Sequence, residues 1–315
     1  MITVAGSIIA DIFARTVHQL PEPGTVGIVD EIGFHLGGSV SNTGAVLARL
    51  DVPVSVVGRV GNDALGRLVR KEVSRWAAKT TLEADLELPT SSVVAHILPG
   101  GERSFLYALG ACKAFTAAEI DLDLEVRDGS RLLHVGYALL LPALDGSPMA
   151  KLFSNAHERG LLVSLDVAYH PEARWDDLRE LLPLVDIFCP NIQEASAMTG
   201  QSEPRRAAEA LAALGVRKFV AVKSGDLGAY ALPIGEQGQQ LFPFAVKVVD
   251  STGAGDAFIA GLLAAWYRGF DWHRSAVIAN AVGALAVTRS GASEGIDTWE
   301  QATDLVRTAA VHTFL

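Results

Sequence analysis

Leu132-Leu133-His134-Val135 is a short apolar run, and Ser147-Pro148 then opens a helical pattern that Gly160 stops before Leu161 to Leu165 begins the next apolar run. Serine suits an N-cap, proline the first helical position and glycine the residue past a helix end. Two more apolar runs follow, Val185-Asp186-Ile187-Phe188-Cys189 and Lys218 to Val222. Continuous apolar strands alternating with helices predict an α/β protein whose parallel sheet is covered on both faces. Upstream, Ile2 to Ala5 and Val54 to Val57 read as strands of the same sheet. Helices are expected there from about Ser41 to Leu50 and from Asp63 to Ala77. Downstream come a strand from Ala229 to Leu232, a strand from Phe244 to Val249 and a helix from Ser275 to Arg289.

Two segments break this rhythm. Val26, Ile28, Ile32 and Phe34 alternate with Gly27, Val29, Glu31 and Gly33, the period of a strand with one wet face. Val93 to Leu98 and Ser104 to Leu109 flank Pro99-Gly100-Gly101-Glu102-Arg103, which reads as a hairpin. These strands predict a small β lid, inserted from about 12–36 and 91–110, on a single domain spanning 1–315. Internal repeats and long Pro/Gly/Ser linkers are absent from the sequence.

The bulk numbers narrow the function classes. Half of the 315 residues are apolar, enough for a sizeable core, and the formal net charge is −10. No basic cluster exceeds Arg70-Lys71 or Arg205-Arg206, so a nucleic-acid partner is not expected. No apolar run approaches ~20 residues, so no membrane span is expected. Cys112 and Cys189 lack metal-ligand spacing and fit a reducing compartment, which makes the cytoplasm the expected location. Met1-Ile2-Thr3-Val4-Ala5-Gly6 has no basic residue ahead of its apolar ones and reads as a first strand, not a signal peptide.

Chemistry concentrates in Asp250-Ser251-Thr252-Gly253-Ala254-Gly255-Asp256-Ala257-Phe258. The run Ala257 to Arg268 is apolar on nearly every side and ends at Gly269, which reads as a buried helix. Its N-terminus carries unpaired N–H groups and partial positive charge, and Gly253 and Gly255 let an anion approach the backbone. A carboxylate at Asp256 could then take the proton of an attacking hydroxyl beside that anion hole. A glycine-rich turn with Asp256 as a plain N-cap fits the same string. A dinucleotide fingerprint fits less well, because its third glycine falls on Phe258.

That segment resembles the C-terminal signature of the PfkB, or ribokinase-like, carbohydrate kinases. Other motifs extend the resemblance over nearly the whole chain: Leu36-Gly37-Gly38-Ser39-Val40-Ser41-Asn42, Gly58-Arg59-Val60-Gly61-Asn62-Asp63 with Gly66, Gly101-Glu102-Arg103 with Gly110-Ala111, Pro190-Asn191-Ile192-Gln193-Glu194, and Lys223-Ser224-Gly225-Asp226-Leu227-Gly228-Ala229. The resemblance implies a three-layer α/β sandwich with a mostly parallel central sheet and a β lid. It implies transfer of the ATP γ-phosphate to a sugar hydroxyl, with Asp256 as base and Gly253, Ala254 and Gly255 as anion hole. Asn191, Lys223, Gly225, Gly228 and Asn280 then contact the nucleotide, and Glu194 holds Mg²⁺ through water. Asp250, Thr252 and Gly291, with Ala286 and Arg289, match a loop that binds a monovalent cation such as K⁺ in some relatives. Asp11, Gly37, Gly38 and Asn42 match the acceptor pocket, with Arg103 reaching in from the lid. The lid edges could join two copies into a homodimer.

Each position has a plainer use. Asn191 and Glu194 make a capping box. Lys223 to Ala229 is a tight turn between strands, Asp11 a strand-end turn, Gly37-Gly38 a turn into a helix, Asn280 a polar helix residue and Arg103 a turn residue facing water. The acceptor pocket departs from ribokinase itself, with Ser39 or Val40 in place of a lysine. No carboxylate stands in Gly136-Tyr137-Ala138-Leu139-Leu140-Leu141, which puts ribose in doubt. His96, Lys113 and Tyr137 are further acceptor-facing candidates. A nucleoside kinase, with Phe34, Phe105 and Tyr107 stacking on the base, and a non-catalytic sugar or nucleotide binder remain as alternatives. Gly291-Ala292-Ser293-Glu294-Gly295 spells a nucleophile elbow, but a helix precedes it where that motif needs a strand. P-loop and protein-kinase strings are absent from the sequence.

Overall fold

The structure, a computed structural model, describes residues 1–98, 103–170, 173–291 and 294–312. Its strands are β1 (Ile2–Gly6), β2 (Ile9–Arg15), β3 (Glu31–Gly37), β4 (Val54–Gly61), β5 (Lys79–Asp85), β6 (Ser92–Ile97), β7 (Arg103–Ala108), β8 (Leu132–Ala138), β9 (Leu162–Val167), β10 (Ile187–Phe188), β11 (Phe219–Lys223), β12 (Ala229–Pro233) and β13 (Gln239–Leu241). The helices are α1 (Ser39–Arg49), α2 (Ala64–Val73), α3 (Leu122–Arg127), α4 (Ser147–Glu158), α5 (Trp175–Leu181), α6 (Ile192–Thr199), α7 (Pro204–Ala213), α8 (Ala254–Tyr267), α9 (Trp272–Ala286) and α10 (Trp299–His312).

Nine strands form the central sheet in the order β13-β12-β11-β10-β9-β8-β1-β4-β5. From β5 to β11 every pairing is parallel, and β12 and β13 close one edge antiparallel. Alternation along the strands splits the core into two. Val4, Val56, Leu132 and Phe219 pack on the side of α1, α8 and α9. Ala5, Val57, Leu133 and Val135 pack with Met149, Phe153 and Leu211 on the opposite side. Helices on both faces are what bury strands of this composition. The lid is a second, four-stranded sheet of order β3-β2-β6-β7, in which β2 runs parallel to β6 and antiparallel to β3.

Several boundaries differ from the sequence expectation for identifiable reasons. Val26 and Ile28 are exposed and precede β3, which starts only where Asp30 N–H reaches Arg15 O at 3.2 Å. β2 carries the lid back to Ile9, ahead of the expected start near residue 12, and Asp11 lies within it rather than at a strand-end turn. Phe244 to Val249 is not a strand: it forms no ladder with the sheet edge at β13. Its end is tied instead by Val249 N–H to Val287 O at 2.7 Å. Ser147 is the first residue of α4, whose N-cap is Gly146 with φ 75°, and Gly160 follows the helix with φ 78°. The buried helix α8 begins at Ala254, three residues ahead of the expected start. The turn Pro99–Glu102, the Arg103 side chain and Ala292-Ser293 of the elbow string lie outside the described residues.

The motif around Gly61 and Gly66 is scaffolding. Asp63 caps α2 through Gly66 N–H at 2.7 Å and also accepts from Thr90 N–H and hydroxyl at 2.8 and 2.6 Å. A side chain on Gly66 would come 2.1 Å from Gly61 O, so only glycine lets the helix approach this turn. The effect is to pin Thr90 just ahead of lid strand β6.

Candidate active site

α8 is buried from Asp256 to Ala265, as a helix apolar on all sides must be. Its N-cap is Gly253, held at φ 73° where a β-carbon is strained, and no side chain caps the first turn. Ala254 N–H reaches Ser251 O at a long 3.3 Å. The helix start thus presents backbone and partial positive charge to the space above the sheet edge. Asp256 is the third helical residue, not the N-cap, and its side chain turns to other elements.

Three groups converge on it. Asn42 Nδ2 of α1 and the Tyr137 hydroxyl of β8 donate to Oδ2 at 3.0 and 3.1 Å, and the Thr43 hydroxyl lies 3.4 Å from Oδ1. Burial raises the Asp256 pKa, while the Asn42 bond, the Lys223 charge and the Tyr137 bond work against that rise. The net direction is upward: the carboxyl is more basic than an ordinary aspartate because it is buried.

Lys223 ends β11, and its ammonium nitrogen would lie 2.9 Å from a β-carbon built on Gly255. Burial disfavours its charge, but Asp166 and Glu194, with Cys189 and Asp256 adding less, hold its pKa above the ordinary value. Asp166, at the end of β9, was not singled out from the sequence. Burial raises it to about 8 against the pull of Lys223, with Asp256 and Glu194 pushing the same way as burial. Its signal was available: a carboxylate ending an apolar strand of a parallel sheet, at the edge where such sheets bind ligands. Glu194 is also raised, first by burial and against Lys223. Buried carboxyls gathered around one ammonium suit a site whose charge is completed by a cation-bearing polyanion.

The structure brings the other expected nucleotide residues to this neighbourhood. Asn191 and Glu194 do form a capping box, with bonds of 2.9 and 2.8 Å, and Asn191 forms an isolated bridge to Lys223. Gly225 and Gly228 have φ of 57° and 84°, and a side chain on Gly228 would meet Leu241 O at 1.9 Å. Asn280 donates to Phe242 O at 2.8 Å. Phe242 and Leu227 are 77 and 70 % exposed, an apolar rim the sequence reading passed over. Asp250 joins the two loops of the expected cation site, accepting from Thr252 N–H at 3.0 Å and Gly291 N–H at 2.9 Å. Among the described residues, no group of three or more His, Cys, Asp or Glu could hold a metal ion.

Where the acceptor pocket was expected, the walls are glycine. A β-carbon on Gly37 would lie 3.2 Å from Asp11 Cβ, one on Gly38 2.5 Å from Ser7 O, and one on Gly136 1.9 Å from the Ser39 hydroxyl. Asp11 therefore lies against bare backbone within reach of α1. Asn42, expected on the pocket wall, contacts Asp256 directly.

Residues 1–299 match the family model described as pfkB family carbohydrate kinase. The chain belongs to this family. It is 31% identical to a ribokinase of Arabidopsis thaliana over 303 residues, covering 92% of this chain and 77% of that one. It is 29% identical to a fructokinase of Vibrio alginolyticus over 277 residues, covering 83% and 88%. The solved structure of Arabidopsis thaliana ribokinase complexed with ribose and ATP superposes with a TM-score of 0.83 at 28% identity, over 97% of this chain and 98% of that one. An E. coli protein described as a ribokinase II, in complex with ATP and Mg²⁺, gives a TM-score of 0.81 at 28% identity, over 98% and 99%. This pfkB-family protein is therefore a carbohydrate kinase, a phosphotransferase with an alcohol acceptor, on a ribokinase-like α/β fold. Among the described residues no helix is long and apolar enough to cross a membrane.

Proposed function

We propose that this kinase transfers the γ-phosphate of ATP to a hydroxyl of a small carbohydrate, with Asp256 as general base and the amides of Gly253, Ala254 and Gly255 as the anion hole. The observation that carries the reading is the meeting of four elements at one carboxylate: α8 supplies Asp256, α1 Asn42, β8 Tyr137 and β11 Lys223. The acceptor hydroxyl gives its proton to Asp256 as its oxygen bonds to the γ-phosphorus. The bond from that phosphorus to the bridging oxygen breaks, and ADP leaves. The helix N-terminus and the Lys223 ammonium offset charge on the phosphoryl oxygens in flight.

ATP is assigned to Asn191, Lys223, Gly225, Gly228 and Asn280, where the exposed Leu227 and Phe242 offer apolar cover for a base. Mg²⁺ travels with the triphosphate, and Glu194 meets it through water, consistent with the few protein carboxylates Mg²⁺ needs. The Asp250–Gly291 tie supports a monovalent cation such as K⁺ at Thr252 and its neighbours. Asp11, Gly37, Gly38 and Asn42, with Arg103, form the sugar side. Phe34 speaks against the nucleoside reading: it lines a cavity of about 560 Å³ with Trp76 and Arg49, which shares Gly291 with the cation loop but none of the residues assigned to ATP or the sugar. A lid-to-lid homodimer is supported by Ile32 and Leu106, 70 and 65 % exposed on one face of the lid. A cytoplasmic location follows from the substrate, ATP.

The test is an ADP-release screen of the purified protein over sugars, sugar acids, phosphosugars and nucleosides. One sugar or sugar acid raising ADP release well above the acceptor-free rate supports the reading. A response to nucleosides alone, or to no acceptor, overturns it.

A further inference from the structure

We propose that Tyr137 is the positioning residue of the base: a β-bulge in β8 turns its phenol onto Asp256 and fixes which carboxylate oxygen faces the acceptor. This inference rests on the assignment of Asp256 as base.

The bulge is visible in the strand register. Val135 pairs with Leu165, but the next pairing is Ala138 with Val167. β8 therefore spends two residues, Gly136 and Tyr137, opposite the single residue Asp166. An extra residue re-aims a side chain out of the strand's alternation, a device that recurs beside active sites. Tyr137 takes a left-handed backbone, φ 59°, and Leu139 follows at φ 75°. Neither is glycine, so the conformation is imposed by its surroundings. Gly136 is required by the Ser39 side chain packed on it. The loop beyond is stapled by Asp145, which accepts from Leu139 and Leu141 N–H at 3.0 Å each, and by His170 Nε2 at 3.1 Å from Leu139 O.

The delivered phenol shares Oδ2 of Asp256 with Asn42. Two donors on one oxygen hold the carboxylate plane and leave Oδ1, where Thr43 is at 3.4 Å, as the more weakly engaged oxygen for the acceptor proton. Burial first, and then the Asp256 charge, raises the Tyr137 pKa well above the ordinary phenol value, so the group remains a donor throughout the working range. Donation to the ionised base lowers its pKa, so losing the phenol must raise it.

The experiment compares Tyr137→Phe, Tyr137→Gly and Asp256→Asn in the full chain, with ADP binding and thermal melting as checks of fold. Glycine adopts φ 59° without strain, so Tyr137→Gly keeps the bulge even if the phenylalanine variant misfolds. For both Tyr137 variants, kcat is expected to fall about tenfold, acceptor KM to stay within about twofold, and the acidic limb of the kcat–pH profile to move up by about half a unit or more. A Tyr137→Phe enzyme with wild-type kcat and an unmoved limb, beside an inactive Asp256→Asn, overturns this inference alone. Loss in Tyr137→Gly without loss in Tyr137→Phe also overturns it, because the ring and not the hydroxyl would then matter. Wild-type turnover in Asp256→Asn overturns the base assignment itself.

Discussion

The Lys223 ammonium occupies the place beside Gly255 that a side chain would need: a β-carbon there would come 2.9 Å from Nζ. The absent side chain of the second residue of α8 is thus what lets the charge of β11 reach the helix start. Glycine is otherwise a poor helix residue.

Replacing Gly255 with alanine should separate folding from chemistry. The obstructing atom is the free end of a flexible chain, so the fold tolerates the change, and the better helix former offsets the strain by up to ~1 kcal/mol. The ammonium must move, however, and turnover should fall by about tenfold or more, toward the ~10²–10³ scale of a lost oxyanion donor. Urea unfolding together with steady-state kinetics checks this; an unchanged kcat removes Lys223 from the anion hole.

Asp256→Asn should preserve the fold and nucleotide affinity, since asparagine retains shape and acceptor oxygen. Turnover should drop by about 10²–10⁴, the scale of a lost general base. Calorimetric ADP binding beside single-turnover phosphorylation separates the two effects, and near-normal phosphorylation refutes the role.

Asp145 gives stability a definite pH dependence. Burial raises its pKa from 3.8 to about 6, against the pull of Leu139 and Leu141 N–H. The folded state thus binds this proton more tightly than the unfolded state. The stabilisation is fully present below 3.8 and is lost as pH rises through about 6, with a magnitude on the order of 3 kcal/mol. Melting temperatures of wild type and Asp145→Asn between these pH values should diverge in slope, the variant being the flatter. Parallel curves would show that the carboxyl does not titrate there.

Gly66→Ala should damage stability and not catalysis. The added carbon meets backbone, Gly61 O at 2.1 Å, which cannot swing aside. A cost of about 1–3 kcal/mol is expected for such overpacking, read from the urea midpoint. Wild-type stability would mean that the β4–α2 turn is looser than its contacts indicate.

The lid face predicts the state in solution. Light scattering should give a dimer mass for the wild type, and Leu106→Glu should yield monomers by burying a charge in the contact. A monomeric wild type at micromolar concentration dismisses the lid interface.

The parallel sheet and the start of α8 were legible because local pattern and tertiary role coincide there. Continuous apolar strands have no other home than a covered sheet, and glycines ahead of an apolar run mark a helix start. Phe244 to Val249 misled because its composition suits a strand while its backbone joins no sheet and its end bonds Val287 instead. Pairing is a property of the whole sheet, not of six residues. Asp256, Asn42 and Lys223 could be named from their motifs, but their meeting could not, since it joins segments 214 residues apart. Tyr137 was harder still. Its direction depends on a register shift of one residue between β8 and β9, which leaves no trace in periodicity.

The two places where the chain first enters and leaves the lid are bolted together. Val40 N–H bonds Ser7 O at 3.1 Å, and Gly38 has no side chain because that same carbonyl occupies its place. Ser7 leads into β2, whereas Gly38 leads out of β3 into the helix bearing Asn42 and Thr43. The first pair of lid connections therefore has a common root, and α1 starts from it. The two side chains that grip the Asp256 carboxylate thus stand near the start of a helix seated on the foundation of the cover.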